Sequence, residues 1–337
     1  MFCNREKGLR RIAAGLLVCT ALACSSCREE KPRTRRPVDL VPSKADVIVV
    51  LDYERLVKSE VFRRVFDVSN VERTLLAIGI PPENILGIAG FATVNLPALA
   101  TGSGGHSEES PGEFGMIVQG KGGFHPVLEA LAEGRWVRRE YGGKELWAAD
   151  EDNMAVASAG SEMLIVGTPA AVCQAIDVSV GKSSGAMEAG SDSDCGAILR
   201  RIGTRAEINI AMSFSQEMKM AAKEVSQSAG IFGGMTGANM LRHVFDVLGM
   251  GRGVALSFGG AEKGIATRLV FVARDAASAK LIEGLVKVAK ILIPAIGESG
   301  PMEEAAEMAR GLHVASENDL VLIDFRIPVT VLRGRVR

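Results

Sequence analysis

The chain has 337 residues, 47% of them apolar and 23% charged, with a formal net charge of −1. That composition makes one large globular body or two of ordinary size and excludes a disordered chain. Near-zero net charge excludes a nucleic-acid binder by bulk electrostatics, and aromatics at 5% leave few faces on which bases or sugars could stack. Four of the six Cys (3, 19, 24 and 27) fall in the first 27 residues, so the body is not a disulfide scaffold.

The N-terminus reads as a secretion signal. Arg5, Lys7, Arg10 and Arg11 form a basic start. Ile12 to Ala23 is an apolar stretch of twelve residues, too short to cross a bilayer as a stable helix. Ala21-Leu22-Ala23-Cys24-Ser25-Ser26 follows. This run resembles a bacterial lipoprotein signal peptide with its lipobox. The resemblance covers residues 1–26 and implies cleavage before Cys24, diacylglycerol on the Cys24 sulfur, and a periplasm-facing protein anchored to a membrane, the outer one favoured by Ser25. Ala23 has the small size needed before the cut, whereas Leu22 stands two residues before Cys24 where the family more often has it three before. Cys19 follows the bulky Val18, and Cys27 has weaker apolar flanks. The expected organisation is therefore a signal peptide over 1–23 and an anchor with a basic, Pro-containing tether over 24–44. Arg28, Lys31, Arg33, Arg35, Arg36 and Lys44 dominate that tether, which reads as extended and solvated.

The body opens with Val47 to Leu51, five aliphatic residues that predict a strand buried on both faces. Asp52 is placed to cap a helix carrying Leu56, Val57, Val61, Phe62 and Val65. A second helical pattern covers 71–78. Ile85–Leu96 reads as a strand, 97–112 as a long Gly/Ser-rich loop with no apolar residue after Ala100, and 114–119 and 124–132 as strand and helix. Four short strands follow near 136–141, 145–149, 154–158 and 163–166, with turn residues between them, the pattern of an antiparallel meander. Thr168-Pro169 starts a helix to about Val178, and Asp192 or Ser193 caps another through Arg201. The run VPSKADVIVVLDYERLVKSEVFRRV over 41–65, the Ile-Gly-Ile-Pro-Pro run, Tyr141-Gly-Gly-Lys144 and Met163 to Val172 resemble a group of uncharacterised bacterial envelope proteins known only as a domain of unknown function. That family has no established catalytic residues, so the resemblance implies no site.

Ala206 to Phe214 and the pattern over 216–228 repeat the opening strand and helix. Further helical patterns cover 241–248, 276–293 (capped by Asp275 and stopped by Pro294) and 301–310. Strands are expected at 253–258 and 265–273, turning at Gly259-Gly260, then at 312–315 and 320–327. The fold class expected is α+β: duplicated strand-helix-strand-strand-helix-strand units, one over 45–204 and one over 205–337, forming mostly antiparallel sheets packed by helices.

No motif argues for chemistry. Gly181-Lys182-Ser183 lacks the earlier glycine of a phosphate loop, since Ile176 stands there, and it follows a helix. Gly249, Gly251 and Gly253 miss the dinucleotide fingerprint because Val254 occupies the third glycine position. His106, His125, His243 and His313 form no ligand pair, and Asp150-Glu151-Asp152-Asn153 reads as a hairpin turn before it reads as a Ca²⁺ loop. Cys173 and Cys195 sit in separate helical patterns and read as two thiols without a bridge. No catalytic residue, metal, cofactor or nucleic-acid contact is therefore expected. The role expected is non-catalytic binding or structure in the envelope, with the membrane and an envelope protein or ligand as partners. The competing roles are a hydrolase whose polar residues meet only in the fold, and a carrier of an apolar ligand between sheet and helices.

Overall fold

The computed structural model describes residues 35–65, 80–94, 112–132, 136–149, 153–188, 194–216, 249–262, 264–296 and 301–328, with a few single positions between them. The chain divides into Met1–Arg35 and Arg36–Arg337, and every element named below belongs to the second unit. Cys24, the 97–111 loop, the 241–248 pattern and most of the 71–78 and 216–228 patterns lie outside the described residues. So do His106, His243, Asp150, Asp152, Asp192 and Ser193.

The strands are β1 (Val47–Leu51), β2 (Ile85–Val94), β3 (Gly112–Gly120), β4 (Val137–Tyr141), β5 (Lys144–Ala149), β6 (Met154–Ser158), β7 (Met163–Gly167), β8 (Ile208–Ser213), β9 (Gly251–Ala261), β10 (Gly264–Ala273), β11 (His313–Glu317) and β12 (Leu320–Pro328). The α-helices are α1 (Tyr53–Lys58), α2 (Glu60–Val65), α3 (His125–Ala132), α4 (Pro169–Ser179), α5 (Asp194–Ile202), α6 (Ala276–Ile296) and α7 (Pro301–Arg310). These strands join one sheet in the order β11-β12-β10-β9-β8-β1-β2-β3-β7-β6-β5-β4. Every pairing among them is antiparallel.

The expectation of separate, equivalent sheets is thus corrected. β1 and β8 pair with each other at the middle, Val47 opposite Met212 and Leu51 opposite Ile208. Each has one free edge after pairing within its own half, and joining those edges satisfies both rows of backbone donors and acceptors. Outward from that seam the order is β1-β2-β3-β7-β6-β5-β4 on one side and β8-β9-β10-β12-β11 on the other.

One face of the sheet is covered by α4, α5 and the turn Pro37–Leu40, over a core that includes Ile48, Phe91, Ile117, Ile165, Ile176, Leu199, Ala211 and Ala255. In α4, residues 171, 172, 175, 176 and 178 are buried, the spacing of one helical stripe. The other face holds three smaller clusters. Phe124 and Val127 of the α3 region pack with Trp147, Val156 and Leu164. Leu56 and Phe62 of α1 and α2 pack on Ile208 and Ile265, and Ala279 and Ile282 of α6 pack on Phe271 and Val321.

Four local expectations change. Of β1 only Ile48 is fully buried, because α1 and α2 cover only the Leu51 end of the second face and Val49 lies opposite Gly90, which has no side chain. The tether expectation fails over its last residues. Val38, Leu40 and Val41 are core residues, and the Ala186 amide donates to the Val41 carbonyl at 2.7 Å. The charges over 28–36 hide these three apolar positions in any averaged reading. Strands β9 and β10 turn at Glu262, not at Gly259-Gly260, which pair within the ladder. A Cβ on Gly260 would lie 2.7 Å from the Ser59 hydroxyl oxygen, so glycine serves close approach there and not a turn. Finally, helix α6 continues past Pro294 to Ile296.

Candidate functional site: an arginine-lined cleft

A concavity of about 950 Å³ opens where the end of α5 and the loop 203–206 meet the exposed sheet floor of β9, β10 and β12. The floor is made of small residues: Ser257, Gly259 and Ala266. Strand alternation puts Ser257, Arg268 and Asp324 on one face, because they are direct cross-strand partners. Around that floor stand Arg36, Arg55, Arg200, Arg201, Arg205 and Arg268, against two lining carboxylates, Glu207 and Asp324.

Several different elements place these arginines. Arg36 precedes the Pro37–Leu40 turn, where its amide donates to Asp39 Oδ2 at 2.9 Å and its guanidinium reaches Thr204 Oγ1 at 3.0 Å. Arg55 follows Asp52, which caps α1 by accepting from the Arg55 amide at 3.1 Å. The Arg55 side chain donates to Glu207 Oε1 at 3.3 Å and to the Arg205 carbonyl. Arg200 and Arg201 occupy the last turn of α5, where cations suit the negative end of the helix dipole. Arg200 donates to the carbonyls of Ala186 (2.7 Å) and Glu188 (3.1 Å), and Arg201 to Asp319 (3.0 Å). Arg268 makes a two-pronged contact with Asp324 at 2.6 and 3.1 Å, which raises its pKa above the ordinary arginine value. Arg205 is exposed, and its guanidinium has no partner among the described residues.

Both lining carboxylates are therefore already engaged. Glu207 is 7% exposed and also accepts from the Gly260 amide at 3.2 Å. Asp319, behind the wall, is held by Arg201 and Arg252. Burial alone would raise its pKa, but the two arginines prevail and hold it below the usual carboxylate value.

The residues singled out in the sequence lie elsewhere. Gly181 ends α4 with φ 77°, and the amides of Lys182 and Ser183 both donate back to the Asp177 carbonyl at 2.8 and 3.3 Å. The amides a phosphate loop would offer are thus consumed by a helix stop. Cys173 and Cys195 are free. Cys195 is buried, its thiol donates to the Ala211 carbonyl at 3.2 Å, and burial pushes its pKa up to about 12. His125 contacts Glu129 of its own helix at 3.5 Å, and His313 is exposed on β11. Among the described residues no group of three or more His, Cys, Asp or Glu is placed to hold a metal.

Two other features stand out. A smaller cleft of about 570 Å³ lies beneath α3, lined by Phe124, Leu128 and Trp147 with the Arg138–Glu145 ion pair at its mouth. Helix α6 shows solvent a row of apolar side chains, Leu281, Leu285, Val288 and Leu292, at helical spacing. Among the described residues no helix is long and apolar enough to cross a membrane.

No family model matches the chain, and neither does any curated protein. Solved structures of TP0453 match the chain weakly and at low identity. Its crystal form IV matches at 10% identity and a TM-score of 0.46, over 89% of this chain and 95% of that one. Crystal form I matches at 10% and 0.43, over 90% and 96%, and crystal form III at 9% and 0.43, over 89% and 97%. A likeness this weak says nothing about the cleft.

The sequence signal for the cleft is weak. Arg200-Arg201 and Arg205 are visible as a basic cluster, but a helix end with two arginines is ordinary. Arg36 reads as tether, and Arg55 and Arg268 as solvated surface.

Proposed function

We propose that this chain is a lipid-anchored cell-envelope protein with a non-catalytic binding role, whose body holds an anionic ligand in the arginine cleft. The observation that carries the binding role is the charge of the cleft: six arginines over a floor of small residues, with both lining carboxylates committed to arginine partners. Guanidinium groups recognise carboxylates and phosphates by paired donors and do not exchange protons near neutral pH, so such a wall binds better than it catalyses. The anchor is Cys24, on the resemblance of residues 1–26 to a lipoprotein signal. We further propose that the two halves of the sheet descend from one duplicated unit, on the like order of the five strands nearest the seam, β1-β2-β3-β7-β6 and β8-β9-β10-β12-β11, with β5 and β4 added to the first half.

The binding role is tested by thermal unfolding with citrate, inorganic pyrophosphate and polyglutamate at constant ionic strength. A ligand at 100 times its Kd adds about 2.7 kcal/mol, a rise of several degrees. The absence of any rise with all three would overturn the reading. The anchor is tested separately by mass spectrometry of the mature N-terminus, which should begin at a lipid-modified Cys24. A second reading, carriage of an apolar ligand, is favoured by the Phe124, Leu128 and Trp147 lining beneath α3. Quenching of tryptophan fluorescence by a bound fatty acid, absent in Trp147→Phe, would support it.

A further inference from the structure

We infer that the ligand of the arginine cleft is a phosphate-bearing anion without an aromatic base, supplied by the headgroups of membrane lipids; this rests on the anion-binding reading above. Charge comes first. Four of the six arginines pair with carboxylates (Arg36 with Asp39, Arg55 with Glu207, Arg201 with Asp319, Arg268 with Asp324), which leaves Arg200 and Arg205 as the lining charges without a carboxylate partner among the described residues, a positive excess that a single carboxylate would not balance. The attraction comes from the side chains alone, since α5 presents its C-terminal, negative end to the cleft. A phosphate offers several acceptor oxygens to guanidinium forks and carries one to two negative charges. Arg205, whose guanidinium has no partner among the described residues, the second terminal nitrogen of Arg200, and the second N–H on each terminal nitrogen of Arg36, whose Nη1 goes to Thr204 and Nη2 to Asp39, supply the donors.

Size comes next. An opening of about 950 Å³ leaves room beside one phosphate for a second phosphate or a polar organic group. Ser257, Gly259 and Ala266 offer a small-residue floor with one hydroxyl. The one aromatic residue in the lining is Phe325. The side chain of Phe325 points to the opposite side of the sheet, as the neighbour of Asp324 along β12 and the partner of Thr267. A nucleotide base would find no aromatic ring to stack on, which favours phosphorylated glycerol or sugar headgroups.

The source follows from chain length. Twelve residues, 24 to 35, lead from Cys24 to Arg36. Fully extended, they span at most about 40 Å. An acylated chain therefore keeps the cleft within headgroup reach, at a surface where anionic lipid attracts basic groups.

The test uses the mature chain with Cys24→Ser, so that the acyl group does not itself bind lipid. Binding is measured by co-flotation with phosphatidylcholine vesicles alone or with cardiolipin added to one lipid in five, and by calorimetry with inorganic pyrophosphate and with citrate. The expected result is flotation with cardiolipin vesicles only, weakened at least tenfold by Arg205→Glu and by Arg36→Gln. Arg138→Gln, at the opposite edge of the sheet, should leave it unchanged. Pyrophosphate should compete with the vesicles. Pyrophosphate binding without vesicle binding would keep the phosphate site and overturn the lipid source. Citrate binding without pyrophosphate or vesicle binding would overturn the phosphate assignment and leave the anion-binding reading intact. Vesicle binding untouched by the arginine variants would overturn the cleft as the site and point to the apolar row of α6. Circular dichroism of each variant checks that it is folded.

Discussion

Replacing Ile48 tests whether the seam between β1 and β8 is the centre of one continuous core. Ile48 is 0% exposed, lies opposite Phe91 on β2 and Ala211 on β8, and belongs to the largest hydrophobic cluster. Ile48→Ala removes three carbons, about 2.4 kcal/mol of transfer free energy at about 0.8 per methylene. The neighbours come from three strands fixed by their ladders and cannot close the gap, so a cavity term adds to the loss. Together these give about 3–4 kcal/mol, within the range measured for buried Ile to Ala. For a body of this size that lowers Tm by about 6–8 °C. Val49, one residue on, faces the other side, opposite Gly90 and Ile210, and is only partly buried. Val49→Ala should cost about 1 kcal/mol. Urea unfolding followed by circular dichroism gives both values. Equal losses at the two positions, or a loss below about 1 kcal/mol for Ile48→Ala, would refute the one-sided burial of β1.

Cys195 should react with a thiol reagent far more slowly than the half-buried Cys173, counted by mass spectrometry over time in native buffer; equal rates would show that Cys195 is not shielded. Its folded pKa, about 12, lies above the ordinary thiol value near 8.5, so its contribution is fully present below about pH 8.5 and is lost as pH rises toward 12. Cys195→Ala should flatten that alkaline loss of stability. Asp319 has the opposite sign: its folded pKa is lowered, so its contribution is present above the unfolded value near 3.9 and is lost as pH falls through the folded one. Asp319→Asn should therefore lower stability at pH 7 and flatten the acid limb, and an unchanged acid limb would show the Arg201–Asp319–Arg252 contact to be unimportant. Gly167→Ala would place a Cβ 2.7 Å from the Gly115 Cα on the paired strand, where backbone cannot yield, and should cost about 1–3 kcal/mol by calorimetry.

The local chemistry of this chain is legible from its residues. The strands at 154–158 and 163–167 and the helix Pro301–Arg310 follow from alternation, helical spacing and turn residues, signals that act within a few positions. Asp52 and Asp275 accept the amides of Arg55 and Ser278, as caps placed before apolar helical patterns should. What the residues could not state is which strand edges meet. The pairing of β1 with β8 joins Val49 to Ile210 across the whole first half, and nothing in either strand names its partner. The glycines at 259 and 260 show the same limit: locally they are turn residues, and only the nearness of Ser59 and Glu207 makes them ladder residues. The cleft is the extreme case. Arg55 and Glu207 stand 152 residues apart and meet because the sheet closes between them. An isolated arginine is a solvated surface residue. Six of them around a small-residue floor become a site only when long-range strand pairing brings the turn at 37–40, α1, the end of α5 and β10 to one place.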